Sequence, residues 1–151
     1  MKVQIQDLKQ GLVNGVEVHL PEQHTNVYQE TYFTWDASPL VAQMNSSSIS
    51  GGILNTWHHV PEFNVIETHV EPEMFYFVSG VALMLFMDLI DGTPDMASAQ
   101  IVRVQPGTQL IISAGKAHFV PVAETDSVHI IVVSPKVDAP RVQLPEAITL
   151  G

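Results

Sequence analysis

The chain of 151 residues has no cysteine, few cations and no long apolar run. Without cysteine there are no disulfides and no thiolate ligands, so any metal must be held by His, Asp or Glu, and the composition fits a reducing compartment. Lys plus Arg number 6 against 16 Asp plus Glu, a formal net charge of −10, and the cations form no cluster. Such a chain repels a nucleic-acid duplex or an anionic membrane surface, which argues against both as partners. The longest apolar stretch, Val81 to Met87, falls far short of the roughly 20 residues a transmembrane helix needs. Residues 1–11 mix Lys2, Gln4, Gln6, Asp7, Lys9 and Gln10 with single aliphatics, and lack the unbroken apolar segment of a secretory signal. The expectation is a soluble, cytoplasmic protein whose partner is a small molecule.

What is there is β-rich. Short apolar segments separated by Gly, Pro, Asn and Asp recur from residue 16 onward, the pattern of an all-β sandwich or barrel. Strands are expected at Val16 to Leu20, Tyr28 to Trp35, Leu40 to Met44, Gly52 to Trp57, Asn64 to His69, Phe75 to Val78 and Val81 to Leu89. Further strands are expected at Ala99 to Val104, Gln109 to Ile112, Ala117 to Val122 and Val128 to Val133. Ala82 to Met87 and Ile130 to Val133 are apolar on both faces, so two packed sheets or an oligomer interface must cover the second face. Asp91-Gly92-Thr93-Pro94-Asp95 and Pro106-Gly107 carry turn chemistry, and Ser46-Ser47-Ser48 with Gly51-Gly52 reads as an exposed loop. No helix of ordinary length is expected. Pro145 to Leu150 is compatible with a final turn, and the tail from Pro135, with Pro140 and Pro145, is expected to run extended along the surface or onto a neighbouring subunit. One domain over residues 1–151 accommodates all of this, and buries about 70% of the surface its unfolded chain exposes.

Chemistry concentrates at Glu67-Thr68-His69-Val70-Glu71-Pro72-Glu73. Alternate side chains of a strand share a face, so Glu67 and His69 point the same way. Pro72 redirects the chain, and Glu73 opens the next strand with a second carboxylate. His118, three residues past Gly115, approaches from another strand if the barrel closes. Glu67, His69, Glu73 and His118 are thus the candidate metal ligands and catalytic groups. Tyr76 is a candidate substrate contact, because a phenol inside a barrel needs a hydrogen-bond partner. Lys116 is another, as a cation beside the cluster able to hold a substrate carboxylate. The alternative for Glu67 is a rim ion pair with Lys116 or Arg103. Glu71 reads as a solvated turn, His58 and His59 as neighbours of which at most one lines a pocket, and His19, His24 and His129 as surface or packing residues.

The same residues carry a resemblance. Glu73, Tyr76 and Gly80 are similar to the Glu-x2-Tyr-x3-Gly part of the first cupin motif, with Glu67-Thr68-His69 where the family has His-x-His. Gly107, Gly115 and His118 resemble the second motif, with Ser113 in place of its proline. The likeness runs over about residues 64–133, and implies a double-stranded β-helix, or jelly-roll barrel, with additional N-terminal strands. Within cupins the stretch most resembles the ureidoglycolate lyase family, through Glu67-Thr68-His69, Phe75, Gly80, Pro106-Gly107 and Gly115 to His118. It departs from that family at Ala117, where Trp is usual, and at Glu73, where Gln is usual one residue farther from the histidine. The resemblance implies a homodimeric barrel that releases urea and glyoxylate from ureidoglycolate.

Two mechanisms fit these residues. In one, Glu67, His69, Glu73 and His118 hold a divalent ion such as Zn, Mn, Fe or Ni, and the ion orients and polarises a substrate oxygen. In the other there is no metal, and the carboxylates raise each other's pKa, so that a protonated Glu67 or Glu73 acts as the acid and His69 or His118 as the base. No organic cofactor is expected. A metal-dependent isomerase or dioxygenase and a non-catalytic small-molecule sensor are the alternatives to a carbon–nitrogen lyase.

Overall fold

A computed structural model describes residues 1–25, 28–136 and 139–151. Among the described residues it has fifteen strands and one 3-10 turn, Pro21–Gln23. The N-terminal strands are β1 (Lys2–Val3), β2 (Ile5–Asp7), β3 (Val16–His19), β4 (Tyr28–Gln29) and β5 (Thr34–Trp35). The next five are β6 (Ile49–Trp57), β7 (Glu62–Glu67), β8 (Glu73–Ser79), β9 (Ala82–Ile90) and β10 (Thr93–Val104). The last five are β11 (Gln109–Ile112), β12 (Ala117–His118), β13 (Val122–Ala123), β14 (Ser127–Pro135) and β15 (Arg141–Leu150).

They form two facing sheets, as expected of an all-β jelly roll with extra N-terminal strands. The larger, of eight strands, runs β1-β15-β7-β12-β9-β10-β2, with β13 also on β9; the smaller, of five, runs β3-β11-β8-β14-β6. The hairpin β4-β5 stands apart from both. The doubly apolar β9 explains how the layers hold together. Ala82, Met84 and Phe86 join Phe77, Leu110 and Ile130 in the core between the sheets. Leu83, Leu85 and Met87 pack on the other side with Ile66, Ile101 and Ile148. Val3 and Ile5, from opposite ends of the larger sheet, reach this second cluster, so the sheet rolls around it. Both faces of β9 are therefore covered within one chain. On the smaller sheet Ile53, Tyr76 and Ile131 stay exposed in one cross-strand row.

Gly80 ends β8 at φ +80°, and a Cβ there would meet the Ser127 carbonyl oxygen at 2.1 Å. Only glycine allows this turn into β9. Elsewhere the elements differ from expectation. Residues 28–35 make a two-stranded hairpin instead of one strand, and Leu40 to Met44 form no strand. The stretch from Ala117 to Val122 breaks into β12 and β13, with Phe119, Val120 and Pro121 leaving the sheet. Residues 141–150 are no turn but β15, paired with β1 and β7. Pro145 fits because it lies where the β15–β7 register shifts, between Gln143 and Ile148, and a bulge needs no ladder N–H from it. Of the expected C-terminal tail, residues 137–138 lie outside the described residues.

Candidate metal centre and its cavity

Three backbone features gather the candidate residues where the two sheets meet. His118 on β12 pairs in register with Glu67 at the end of β7, and on its other side with Phe86. Glu73 begins β8 opposite Ile112 of β11. The Gly115 N–H, in a turn at φ +79°, donates to the His69 carbonyl oxygen at 2.8 Å and ties the connection between β7 and β8 to the strand carrying His118. Four residues from three strands and one loop thereby share one spot.

The contacts are close. His118 Nε2 lies 3.0 Å from Glu73 Oε2, and its Nδ1 is 3.0 Å from the Lys116 carbonyl oxygen. His69 Nε2 is 3.1 Å from the same Glu73 oxygen and 3.7 Å from Glu67 Oε1. The two imidazoles stack at 5.4 Å between centroids, and Phe75 meets His118 edge-on at 6.0 Å. Donor atoms of Glu67, His69 and His118 all lie within 4.8 Å of one another. Both ring nitrogens of His69 are nevertheless buried without a hydrogen-bond partner, because the 3.1 Å contact with Glu73 is misaligned with the ring N–H direction.

Electrostatics divides the cluster. The Glu67 carboxylate, then Glu73, pushes the His69 pKa up to about 9 against the opposing effect of burial. Burial works to raise Glu73, but the hydrogen bond with His118 and the nearby His69 together outweigh it and hold Glu73 down at about 2. This corrects the expected metal-free mechanism. Two imidazoles surround Glu73 and favour its ionised form, so the group carrying a proton near neutrality is His69, and Glu73 is no acid.

A cavity of about 200 Å³ opens beside Glu67 and Glu73, walled by Leu54, Phe75, Phe119, Val120 and Val132 among others. A second, of about 550 Å³, shares Phe119 and Val120 with it and extends between β6 and β7. Both His58 and His59 line the larger one, where alternation on a strand predicted at most one. Strand geometry ends at Trp57, so the rule does not reach them.

Other expected residues lie elsewhere. Tyr76 faces outward and lines neither cavity, because Phe75 and Phe77 take the inward positions of β8. Lys116 is buried, but its Nζ is 2.8 Å from Asp88 Oδ1 and it lines neither cavity. Arg103 pairs with Glu124 at 2.6 and 2.7 Å and with Asp7 at 3.0 Å, so neither cation is the rim partner of Glu67. That partner is Arg141, with Nε 3.8 Å from Glu67 Oε2 and its guanidinium 5.2 Å from the centre of the Phe119 ring. Arg141 was hidden in the sequence, since only the β15–β7 pairing places it opposite Glu67. Glu71 accepts from the Asn45 N–H at 3.0 Å, a turn contact. His19 and His24 are not isolated: they stack at 4.4 Å, with His24 Nδ1 3.5 Å from Asp36.

No family model matches the chain, and no curated protein matches its sequence. Solved structures do match in shape. The dTDP-4-dehydrorhamnose 3,5-epimerase of Elizabethkingia anophelis is similar with a TM-score of 0.58 at 10% identity, over 87% of this chain and 75% of that one. RmlC of Legionella pneumophila, a dTDP-6-deoxy-D-glucose-3,5-epimerase in complex with dTDP-4-keto-L-rhamnose, gives 0.57 at 10% identity, over 85% and 71%. An oxalate decarboxylase of Bacillus subtilis gives 0.47 at 15% identity; the match takes in 64% of this chain and 24% of that one, so the chain spans about a quarter of its length. The likeness to the two epimerases establishes the cupin-type jelly-roll fold and leaves the chemistry to the residues above.

Proposed function

We propose that this protein is a small-molecule enzyme in which Glu67, His69 and His118, with Glu73 against both imidazoles, hold one divalent ion of the Zn, Mn, Fe or Ni group. The observation that carries the reading is the convergence of three donor atoms within 4.8 Å around a buried His69 ring whose nitrogens have no hydrogen-bond partner. A buried imidazole without a partner is costly, and a mixed imidazole and carboxylate set suits these ions. With its Nδ1–H donated to the Lys116 carbonyl, His118 has Nε2 as the nitrogen left to ligate an ion at the same place.

The reaction we propose is cleavage of a C–N bond in a small hydroxylated carboxylic acid, of the kind implied by the resemblance to ureidoglycolate lyase. The carbinol O–H loses its proton, the oxygen forms a C=O bond, the C–N bond breaks with its electron pair leaving on nitrogen, and nitrogen takes up a proton. A bound ion would supply Lewis-acid polarisation of the substrate oxygen. Glu67 borders the cavity; with one carboxylate oxygen on the ion, its other oxygen would be the one placed to accept the hydroxyl proton and return it to nitrogen. Glu73 is committed between two imidazoles and keeps them oriented. A metal-free reading is favoured by one observation, the proton that Glu67 and Glu73 keep on His69 up to about pH 9; in it His69 is the acid and Glu67 the base.

Elemental analysis of protein purified without chelator tests the reading. About one divalent ion per chain, lost in His69→Ala and in His118→Ala, is the expected result, followed by release of urea from ureidoglycolate. Folded protein without metal in any preparation would leave the acid/base reading. The homodimer is part of the proposal, through the exposed row of Ile53, Tyr76 and Ile131. Light scattering on the native protein and on Ile131→Glu tests it, with monomeric native protein as the contrary result.

A further inference from the structure

The 550 Å³ cavity is larger than a substrate confined beside Glu67 and Glu73 would fill, and it adjoins that site at Phe119 and Val120, which line both cavities. Its apolar walls are Trp57, Phe63, Val65 and Pro121, together with the Phe119 and Val120 that it shares with the smaller cavity, and polar side chains such as His58, His59 and Asn64 line it too. It runs along β7 from Glu62 to Val65, about 10 Å at the rise of an extended strand. Neither cavity is lined by a lysine or an arginine, while Glu62, Glu67 and Glu73 all contribute carboxylates. Among the described residues, a phosphate or sulfate group lying in this cleft would meet carboxylates on its walls and no lining cation other than His58 and His59. Ordinary ligand sites are mostly apolar clefts of about 300–1,000 Å³ with a few convergent polar groups, which is what the two cavities make together.

We propose that the cleft between β6 and β7 binds the body of the substrate, and that this body is an elongated, uncharged, apolar or aromatic group carrying no phosphate. The inference rests on the metal-centred reading above and sharpens it. The compact oxygen-bearing head occupies the 200 Å³ cavity against the cluster, and the group on the leaving nitrogen passes between Phe119 and Val120 into the larger space. The substrate class is thus an N-substituted hydroxy acid with an apolar substituent larger than the amide of a ureido group. Trp57, mostly exposed at the outer wall, would be covered only when that group is present.

The test uses the full chain loaded with Zn(II), and calorimetric titration with acetohydroxamate, benzohydroxamate and 4-phenylbutanehydroxamate, three probes with one chelating head and growing apolar bodies. Affinity should rise at least tenfold from the first to the last, given about a two- to fourfold gain for each methylene removed from water. Val120→Glu, at a partly exposed position, and Trp57→Ala, at an exposed one, should each remove most of that gain while Zn content per chain stays unchanged. Equal affinity for all three probes would overturn the inference and leave the metal centre standing, as would a gain that survives both substitutions. Binding of dTDP in the same cleft, read as displacement of 4-phenylbutanehydroxamate, would overturn it too. Native protein that takes up no Zn would overturn the metal-centred reading and this inference with it, and the metal content separates that outcome from the others.

Discussion

His118 and Glu73 face each other at 3.0 Å between Nε2 and Oε2, both shut away from solvent. The Nδ1–H of His118 is taken by the Lys116 carbonyl, so whenever Nε2 carries no second proton its lone pair faces the Glu73 carboxylate. Two acceptors at that distance require something positive between them, a proton or a metal ion. His69 Nε2 lies 3.1 Å from the same Glu73 oxygen but out of line for a hydrogen bond, and its Nδ1 has no partner among the described residues. The cluster is therefore a site where protons and metal compete, and its pH dependence can be worked out.

A proton on His69 must leave before the ring ligates a metal, and its pKa is raised from 6.5 to about 9. Apparent affinity for Zn(II) should therefore climb with pH until that value is passed, by up to about tenfold per unit while one proton is released. Competition with a chromophoric chelator at pH 6 to 9 measures this. A flat profile would remove His69 from the ligand set.

The metal-free protein should respond in the opposite sense. His69 has a raised folded-state pKa, so its contribution to stability is full below 6.5 and disappears as pH rises through about 9. Glu73 has a lowered one, so its contribution is full above 4.5 and disappears as pH falls through about 2. Thermal melts of the chelator-treated protein should reach their highest midpoint between those limits, and Glu73→Gln should flatten the acid flank and only lessen the alkaline one, whose first cause is Glu67. An undiminished acid flank in that variant would mean that other carboxylates control acid unfolding.

Much of this was legible in the sequence, and the exceptions have physical causes. The strands around the site came from local patterns: alternation in β8, a doubly apolar β9, and the glycines at 80 and 115 that must adopt positive φ. The convergence of Glu67, His69, Glu73 and His118 followed from the motif spacing. Arg141 and the whole of β15 were missed because prolines at 135, 140 and 145 mask a strand whose stability comes from non-local pairing with β7 and a bulge at Pro145. The outward turn of Tyr76 was available from strand alternation, since Phe75 and Phe77 claim the interior. The commitment of Lys116 to Asp88 was not, because it depends on how two distant strands pack.

Gly80→Ala tests the turn that leads from β8 into β9. The substitution requires an alanine at φ +80° and puts a Cβ 2.1 Å from the Ser127 carbonyl oxygen. Backbone atoms cannot give way as a flexible side chain does, so the expected loss is more than about 3 kcal/mol. Urea unfolding measures it. A loss below about 1 kcal/mol would mean that the loop at Thr125 to Ser127 rearranges freely.

Glu67→Gln separates chemistry from structure at the half-buried member of the cluster. The amide keeps the shape but cannot accept and return a proton, so turnover should fall at least about a hundredfold. The melting temperature of the metal-free protein should fall modestly near neutrality, because Glu67 is the first cause of the raised His69 pKa while its contacts with His69 and Arg141 are long, at 3.7 and 3.8 Å. Full activity would remove Glu67 as the base, and a large drop in melting temperature would assign it a structural role.

Arg141 lies over Phe119 and within 3.8 Å of Glu67, two residues that line the smaller cavity. Its Nε faces Glu67, which leaves the two terminal nitrogens of the guanidinium to meet a substrate carboxylate entering past Phe119. Arg141→Ala should weaken binding of oxalate to the Zn-loaded protein by about tenfold, the cost of one charge-assisted hydrogen bond at a partly exposed position. Arg141→Lys should recover only part of it, because an ammonium cannot stack on the ring while presenting a planar pair of donors. The effect should shrink as salt rises, since the side chain is largely exposed. Metal content should not change in either variant. Unaltered oxalate affinity in Arg141→Ala would mean that the ion alone receives the carboxylate, and that Arg141 serves only to hold β15 against β7.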